Sequence, residues 1–226
     1  MSMLRPMSAP AAWRVKRLID VTVSGTALVV LLPLLVGIAL SIRLTMGRPI
    51  LFHQQRIGHH EVPFSVYKFR SLSEAVDDDG VLLPSRERVT TLGWFLRRWS
   101  LDELPQFYNV LKGDLSLVGP RPLLPHYLPA YTEIEKVRHS VRPGITGLAQ
   151  VSGRNSLTWD DKLALDVQYV EQWSLVLDAR IAVQTIRMLL RSSSVARDPS
   201  GEGDLARLRG TYDATPPAPS RGRVRD

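Results

Sequence analysis

The chain has 226 residues, with 29 Lys plus Arg against 22 Asp plus Glu for a net charge of +7, 44% hydrophobic and 23% charged residues, and no cysteine. The length fits one domain, with or without an appendage, and the missing cysteine excludes a disulfide framework, a thiolate zinc site and a cysteine nucleophile. Zinc through histidine alone is disfavoured too, because His53, His59, His60, His126 and His139 include no i, i+4 pair that would share a helix face.

The positive charge is concentrated at one end. Residues 1–70 hold nine basic and two acidic residues (+7), residues 71–191 hold 14 and 15 (−1), and residues 192–226 hold six and five (+1). The excess points to lipid headgroups rather than to nucleic acid, because residues 71–191 offer no basic helix or aromatic-basic platform. The same first third carries the most apolar stretch, Val21 to Ile42, 22 residues without a charge. That is long enough for a bilayer helix and too long for the core of a signal peptide. Pro33 lies inside it and must kink or break a helix. Arg14, Lys16 and Arg17 precede the run and Arg43 and Arg48 follow it, so a straight span would put one basic cluster on the wrong side of the membrane. A re-entrant helix that breaks at Pro33 and returns to the same face satisfies both clusters; a kinked span and a buried soluble helix are the alternatives.

Further along, Ile50–Gln55 and Val62–Phe69 read as short strands joined through a polar Gly58-His59-His60 turn. Asp77-Asp78-Asp79-Gly80 reads as a solvated turn, since no glutamate follows at the spacing an EF-hand needs. The spacing of Leu92, Phe95, Leu96 and Trp99 predicts an amphipathic helix over Thr91–Trp99, and further helices are expected at Pro105–Leu111, Tyr127–Val141, Trp159–Trp173 and Asp178–Leu190. From Ser192 onward Ser, Gly, Pro, Arg and Asp dominate, through Thr215-Pro216-Pro217-Ala218-Pro219, which predicts a disordered or loosely attached tail.

The chemistry concentrates between Leu96 and Pro122. Arg97-Arg98-Trp99-Ser100-Leu101-Asp102-Glu103-Leu104-Pro105-Gln106 places two adjacent carboxylates beside arginines and a proline. One register makes Ser100 and Glu103 a capping box but puts Pro105 inside the helix, where it destabilises. The other makes Asp102 the N-cap with Pro105 in the first turn, so that the helix dipole holds Asp102 ionised. An ionised carboxylate among arginines suits attack on a phosphate, and adjacent helical residues point about 100° apart, so the two carboxylates cannot act as a facing acid/base pair. On these residues alone a structural cap and a catalytic role stand level. Arg121 between Pro120 and Pro122, and Arg142 before Pro143-Gly144, each present a guanidinium from stiff backbone. Either alone would be a turn with a surface arginine; two of them beside Asp102-Glu103 favour an anion site.

Several motifs in one order carry a resemblance. They are Lys16-Arg17-Leu18-Ile19-Asp20, Tyr67-Lys68-Phe69-Arg70, Ser100 to Gln106, Asn109-Val110-Leu111-Lys112-Gly113-Asp114 with Ser116, Val118-Gly119-Pro120-Arg121-Pro122, Arg142-Pro143-Gly144-Ile145-Thr146-Gly147 with Ala149-Gln150-Val151, and Gly153-Arg154-Asn155. Over roughly residues 14–191 the chain resembles the bacterial sugar transferases, the monotopic polyprenyl-phosphate phosphoglycosyl transferases that begin surface glycan assembly. The resemblance implies a mainly α fold with a small β element (α+β): an N-terminal extension (1–13), a re-entrant membrane helix broken at Pro33 (14–48), a compact catalytic domain (49–191) and a low-complexity tail (192–226). It implies a location in the bacterial inner membrane with the catalytic domain facing the cytoplasm.

The implied reaction moves a phospho-sugar from a UDP-sugar to undecaprenyl phosphate with Mg²⁺, releasing UMP through a phospho-sugar aspartyl intermediate. Carried over motif by motif, Asp102 would be the nucleophile and, with or without Glu103, the magnesium ligand, while Glu103 would assist. Arg97, Arg121 and Arg142 would hold phosphates and Arg17 would meet the lipid phosphate. Lys68 and Asp166, in Leu165-Asp166-Val167-Gln168-Tyr169-Val170, would contact substrate or belong to structural ion pairs. The implied partners are a UDP-sugar, undecaprenyl phosphate and the phospholipid membrane, with no nucleic acid and a homodimer left open. Where relatives often carry Ser-Pro at the helix break, Leu32 precedes Pro33 here. Gly153-Arg154-Asn155 is similar to members that use N-acetylated UDP-sugars. The competing expectation is a catalytically silent, membrane-anchored nucleotide-sugar or lipid-phosphate binding protein, and the intact Asp102-Glu103 pair with its arginines speaks against it.

Overall fold

The computed structural model describes residues 10–84, 86–153, 156–191 and 205–210. Two helices open the chain, α1 (Pro10–Val30) and α2 (Leu32–Thr45). Among the described residues no single helix is long and apolar enough to cross a membrane, but Ala11–Val30 and Leu32–Thr45 together are, bent by 61° at the break. The break falls at Leu31 rather than at Pro33, which occupies the first turn of α2. A proline is best placed there, since no N–H is needed in a first turn. Leu18, Val29, Val30, Leu40 and Leu44 stand exposed on this pair. By contrast Lys16, Asp20 and Ser24 of α1 are buried: the Lys16 ammonium donates to the Val118 carbonyl at 3.0 Å and pairs with Asp178 at 2.6 Å, and Asp20 accepts from the Leu117 amide at 3.0 Å. The polar stripe of α1 thus faces protein and its apolar side faces outward, the reverse of a helix on a soluble domain.

Two strands follow, β1 (Leu51–Ile57) and β2 (Pro63–Phe69), antiparallel with Leu51 opposite Phe69 and Ile57 opposite Pro63. Alternation along β2 decides what lies on either side of it. Phe64 and Val66 pack with Val110 and Leu115, whereas Phe69 joins Ile38, Ile42 and Leu96. Helix α3 (Thr91–Arg98) is capped by the Thr90 hydroxyl, which accepts from the Gly93 amide. Its Leu92 and Leu96 pack against α2, but Phe95 and Trp99, expected on that inner face, are exposed together with Trp94.

Helix α4 (Gln106–Lys112) is fastened to β2 by Asn109, whose side chain is fully buried. The Asn109 amide oxygen accepts from the Tyr67 amide at 3.1 Å, and its nitrogen donates to the Ser65 carbonyl at 2.7 Å and to Asp114 at 3.2 Å. Next come two three-residue strands that periodicity did not reveal, β3 (Ser116–Val118) and β4 (Gly144–Thr146), paired in parallel. They lie so close that a Cβ on Gly144 would stand 2.1 Å from the Gly119 amide nitrogen, so glycine is required there. The Val118-to-Pro122 and Arg142-to-Gly147 elements are therefore neighbours, joined by a bond from the Gly144 amide to the Pro120 carbonyl at 2.9 Å.

The helix expected over Tyr127–Val141 is broken into a 3₁₀ segment Pro125–Ala130, helix α5 (Glu133–Lys136) and a 3₁₀ segment Val137–Ser140. Pro129 interrupts the ladder, and Thr132 with Glu135 forms a capping box that starts a new helix. Helices α6 (Leu148–Ser152), α7 (Trp159–Glu171) and α8 (Leu175–Arg191) complete the domain. A further short helix, α9 (Leu205–Leu208), corrects the expectation of a wholly loose tail. Leu205 is buried among Tyr127, Ala130, Tyr131 and Leu163, and Arg209 grips Glu135 through two bonds of 2.6 and 2.8 Å. Thr215 to Pro219 and the Arg154-Asn155 part of the Gly153 motif lie outside the described residues.

Asn109→Ala should lower stability by about 2–4 kcal/mol, since it leaves the buried Tyr67 amide and Ser65 carbonyl without partners. Thermal unfolding of the detergent-solubilised protein measures this, and an unchanged midpoint would refute the bracing role.

Candidate active site

The segment between α3 and α4 is a tight reversal. Ser100 adopts a left-handed conformation (φ 54°, ψ 24°), after which Leu101–Glu103 forms one 3₁₀ turn. Leu101 and Leu104 pack against the cluster of Ile38, Ile42, Phe69 and Leu96. The apolar pair anchors the turn and leaves Asp102 and Glu103, between them, to face the basic residues. Neither capping register expected from the sequence forms. Pro105 itself occupies the position before α4, with helical φ and ψ, and no side chain caps that helix.

Glu103 organises the charges. The Lys68 ammonium, from β2, donates to its carboxylate at 2.6 Å, and the Arg121 guanidinium lies 3.6 Å from the same oxygen. Burial alone would push Glu103 up, but Lys68 and Arg121 overcome it and bring its carboxyl down to about 2. Asp102 moves the other way. Burial and the neighbouring Glu103 charge raise it to about 6, against the pull of Lys68 and Arg97. The expectation that a helix dipole holds Asp102 strongly ionised is thereby corrected: the first full helical turn begins only at Gln106, and a dipole effect fades beyond the terminal turn. At neutral pH Asp102 is still ionised, yet more basic than an ordinary carboxylate.

Lys68 and Arg97 thus act on Asp102, and Lys68 and Arg121 on Glu103. Arg56 of β1 joins them and was missed in the sequence. Burial and the Arg121 charge lower its guanidinium to about 10, while Glu103 acts in the opposite sense. Arg56 donates to the Pro122 carbonyl at 3.4 Å and to the Gln54 side chain at 2.6 Å. No motif marks it, and its only signal is a basic residue on the strand that pairs with the one bearing Lys68.

Three of the residues carried over as substrate-binding also make framework bonds. Arg17 donates to the Val110 carbonyl at 2.6 Å and the Leu111 carbonyl at 2.8 Å, and the Arg142 Nε donates to the Gly113 carbonyl at 2.9 Å. Both satisfy the open carbonyl end of α4, which attracts cations. Asp166 is buried on α7 and takes two bonds from Arg138, of 3.1 and 2.7 Å. Of the two roles the sequence left open for it, the structure shows the ion pair, and Arg138 also donates to the Arg121 carbonyl at 2.5 Å and braces that backbone.

A family model of the bacterial sugar transferases matches residues 11–192. The chain belongs to that family. It is 46% identical over 203 residues to the uncharacterized sugar transferase EpsL of Bacillus subtilis, covering 84% of this chain and 98% of the relative. It is 40% identical over 181 residues to the UDP-glucose:undecaprenyl-phosphate glucose-1-phosphate transferase of Klebsiella pneumoniae (76% of this chain, 39% of the relative). It is 37% identical over 193 residues to the undecaprenyl-phosphate galactose phosphotransferase of Salmonella typhimurium (78% and 40%). The chain therefore spans nearly all of EpsL but about two-fifths of the other two relatives.

The donor set of this sugar transferase suits a magnesium ion held partly by substrate. Among the described residues no three His, Cys, Asp or Glu side chains cluster as a metal cage, and Glu103 is engaged by two cations. Asp102 is the carboxylate left to face a metal, and magnesium is commonly held by one or two carboxylates together with substrate phosphates.

Protonation of Asp102 should remove transferase activity as pH falls through about 6, by about tenfold per unit below it. A rate profile tests this, and a flat profile down to about pH 4 would exclude an ionised Asp102 as the working form. Because its folded pKa lies above the unfolded value, charged Asp102 costs stability at neutral pH. Asp102→Asn should therefore stabilise the fold by on the order of 2–3 kcal/mol there, with the gain vanishing below about pH 4, where the carboxyl is neutral in both states.

Proposed function

We propose that this sugar transferase moves a phospho-sugar from a UDP-sugar to undecaprenyl phosphate at a bacterial membrane, releasing UMP, as the first membrane step of surface glycan synthesis. The observation that carries this reading is the divided carboxylate pair: one acid pinned to two cations and held at about 2, its neighbour raised to about 6 within reach of Lys68 and Arg97. Phosphoryl transfer needs charge neutralisation and alignment more than acid/base work.

In the proposed sequence an Asp102 carboxylate oxygen attacks the sugar-proximal phosphorus of the donor. The bond from that phosphorus to the bridging oxygen breaks, and UMP leaves with the electron pair. Arg121 and Arg97 bind the non-bridging phosphate oxygens, while Glu103 keeps Lys68 and Arg121 in position. An oxygen of the lipid phosphate then attacks the same phosphorus, forms the diphosphate-linked lipid and returns Asp102 to its free carboxylate. A magnesium ion bound by Asp102 and the donor diphosphate would supply further positive charge. The bent α1–α2 pair, with apolar side chains outward and basic residues at both ends, supports a re-entrant anchor that keeps the site at headgroup level on the cytoplasmic face.

The raised basicity of Asp102 equally suits a general base that deprotonates the lipid phosphate for direct transfer. The two routes separate on one measurement. With nucleophilic Asp102, UDP-sugar and Mg²⁺ give a burst of UMP without any lipid acceptor, stoichiometric with enzyme, and intact-mass analysis finds a phospho-sugar adduct on Asp102. Direct transfer gives neither. Asp102→Asn should lower turnover by on the order of 10³-fold or more; undiminished release would sink both routes. For topology, cysteines placed at Pro10 and Gly47 should react alike with a membrane-impermeant reagent in intact and in opened cells. Labelling of only one from outside would favour a span.

A further inference from the structure

Helix α9 and the arginine that follows it lie beyond the stretch matched by the family model, and the chemistry above uses neither. Leu205 is buried in one cluster with Tyr127, Ala130, Tyr131 and Leu163. Arg209 donates to the Ala130 carbonyl at 2.9 Å, to both carboxylate oxygens of Glu135, and to Asp160. One guanidinium therefore ties the 3₁₀ segment Pro125–Ala130 to α5 and to the start of α7. Both contacts bear on the same spot, since Arg209 holds the carbonyl of the residue before Tyr131 and Leu205 packs in the cluster that contains the Tyr131 ring.

From Tyr131 a short chain of bonds leads to the site. Its hydroxyl accepts from Arg138 at 3.1 Å, and the Arg138 guanidinium stands 5.5 Å from the centre of its ring. Arg138 then donates to the Arg121 carbonyl at 2.5 Å, while Asp166 accepts two further bonds from it. The backbone around Arg121 has few other supports. Pro120 and Pro122 have no N–H to give, and the segment is held through its carbonyls: that of Pro120 by the Gly144 amide, that of Pro122 by Arg56 and that of Leu123 by the Ile57 amide. Resting on the transferase reading above, in which Arg121 binds a donor phosphate, we propose that Leu205 and Arg209 form a clip that positions Arg121 through Tyr131 and Arg138, so that residues outside the family domain set the affinity for the nucleotide-sugar donor. Close-packed interiors pass displacements on. With the leucine gone, the Tyr131 ring gains room, Arg138 loses a fixed acceptor, and the Arg121 guanidinium is aimed less well. No residue of α1 or α2 belongs to this chain of contacts, which leaves the lipid acceptor indifferent to it.

Steady-state kinetics of the full chain in nanodiscs test the clip. Leu205→Ala should raise the KM for the UDP-sugar about two- to tenfold, the worth of one positioning hydrogen bond, and leave kcat and the KM for undecaprenyl phosphate unchanged, as expected for binding that ground state and transition state share. Arg209→Gln removes the ion pairs but keeps the buried leucine, so it gives the same reading if the leucine variant does not fold; Arg209→Lys, which keeps the charge without the fork, should fall between it and wild type. Tyr131→Phe keeps the ring and removes the hydroxyl. It should raise the donor KM by itself, and adding Leu205→Ala should then change little, because both act by one route. Hydrogen exchange gives a readout that needs no activity: in Leu205→Ala the Gly144 and Ile57 amides, which bond to the carbonyls around Arg121, should exchange faster while those of α1 do not. An unchanged donor KM, equal losses for donor and acceptor, additive effects of Leu205→Ala and Tyr131→Phe, or unchanged exchange at Gly144 and Ile57 would each overturn the clip. If the wild-type protein releases no UMP from any UDP-sugar, the transferase reading fails, and the exchange comparison alone decides whether the clip reaches the Arg121 segment.

Discussion

The site depends on how a seven-residue helix is held. A helix as short as α4 does not persist alone in water, because nucleation outweighs the few bonds it closes. Three sets of contacts hold it. Arg17 and Arg142 occupy its carbonyl end, Gly113 closes it in the left-handed conformation (φ 97°), and Asn109 locks its side to β2. The catalytic turn is continuous with the other end. Because Arg17 belongs to α1, that helix grips α4, which directly follows the turn bearing Asp102 and Glu103. The position of the carboxylates relative to α1 is then fixed by direct contact rather than by a flexible tether.

Within that frame, Glu103 sets the electrostatics. It gathers a lysine from β2 and an arginine from the segment after β3, and by staying charged it makes its neighbour hard to ionise. Two adjacent carboxylates thus acquire different characters from their surroundings, as expected when burial and fixed charges push neighbouring acids apart. The cost falls on the fold, which carries a carboxylate that ionises less readily than it does in the unfolded chain. Arg138 and Asp166 repeat the theme at one remove: their buried pair supports the Arg121 backbone while Arg121 itself remains about half exposed and open to a ligand.

Much of this was legible in the sequence, though unevenly. The Asp102-Glu103 pair and Arg121 could be picked out from their residue types and neighbours, Arg97 and Lys68 came with the family resemblance, and the β1–β2 hairpin followed from alternation. Other features left little trace. Strands of three residues, such as β3 and β4, are too short for any period to register. An arginine before a proline reads the same whether it meets a phosphate or a helix carbonyl, so the bond from the Arg142 Nε to the Gly113 carbonyl could not be foreseen. The long apolar pattern over Tyr127–Val141 hid the Thr132–Glu135 capping box, and in Arg56 a single unremarkable strand residue became part of the anion cluster through tertiary placement alone.

Leu205 and Arg209 separate two boundaries that are usually treated as one. The family-model match ends at 192, but a side chain 13 residues later fills the space among Tyr127, Tyr131 and Leu163, and Arg209 joins Glu135 to Asp160. The unit that packs together is longer than the stretch the family model matches. A fragment trimmed to the shared region would keep every motif yet lose the plug behind the Arg121 segment. For this chain, the edge of the hydrophobic core rather than the edge of the homology is where a boundary belongs.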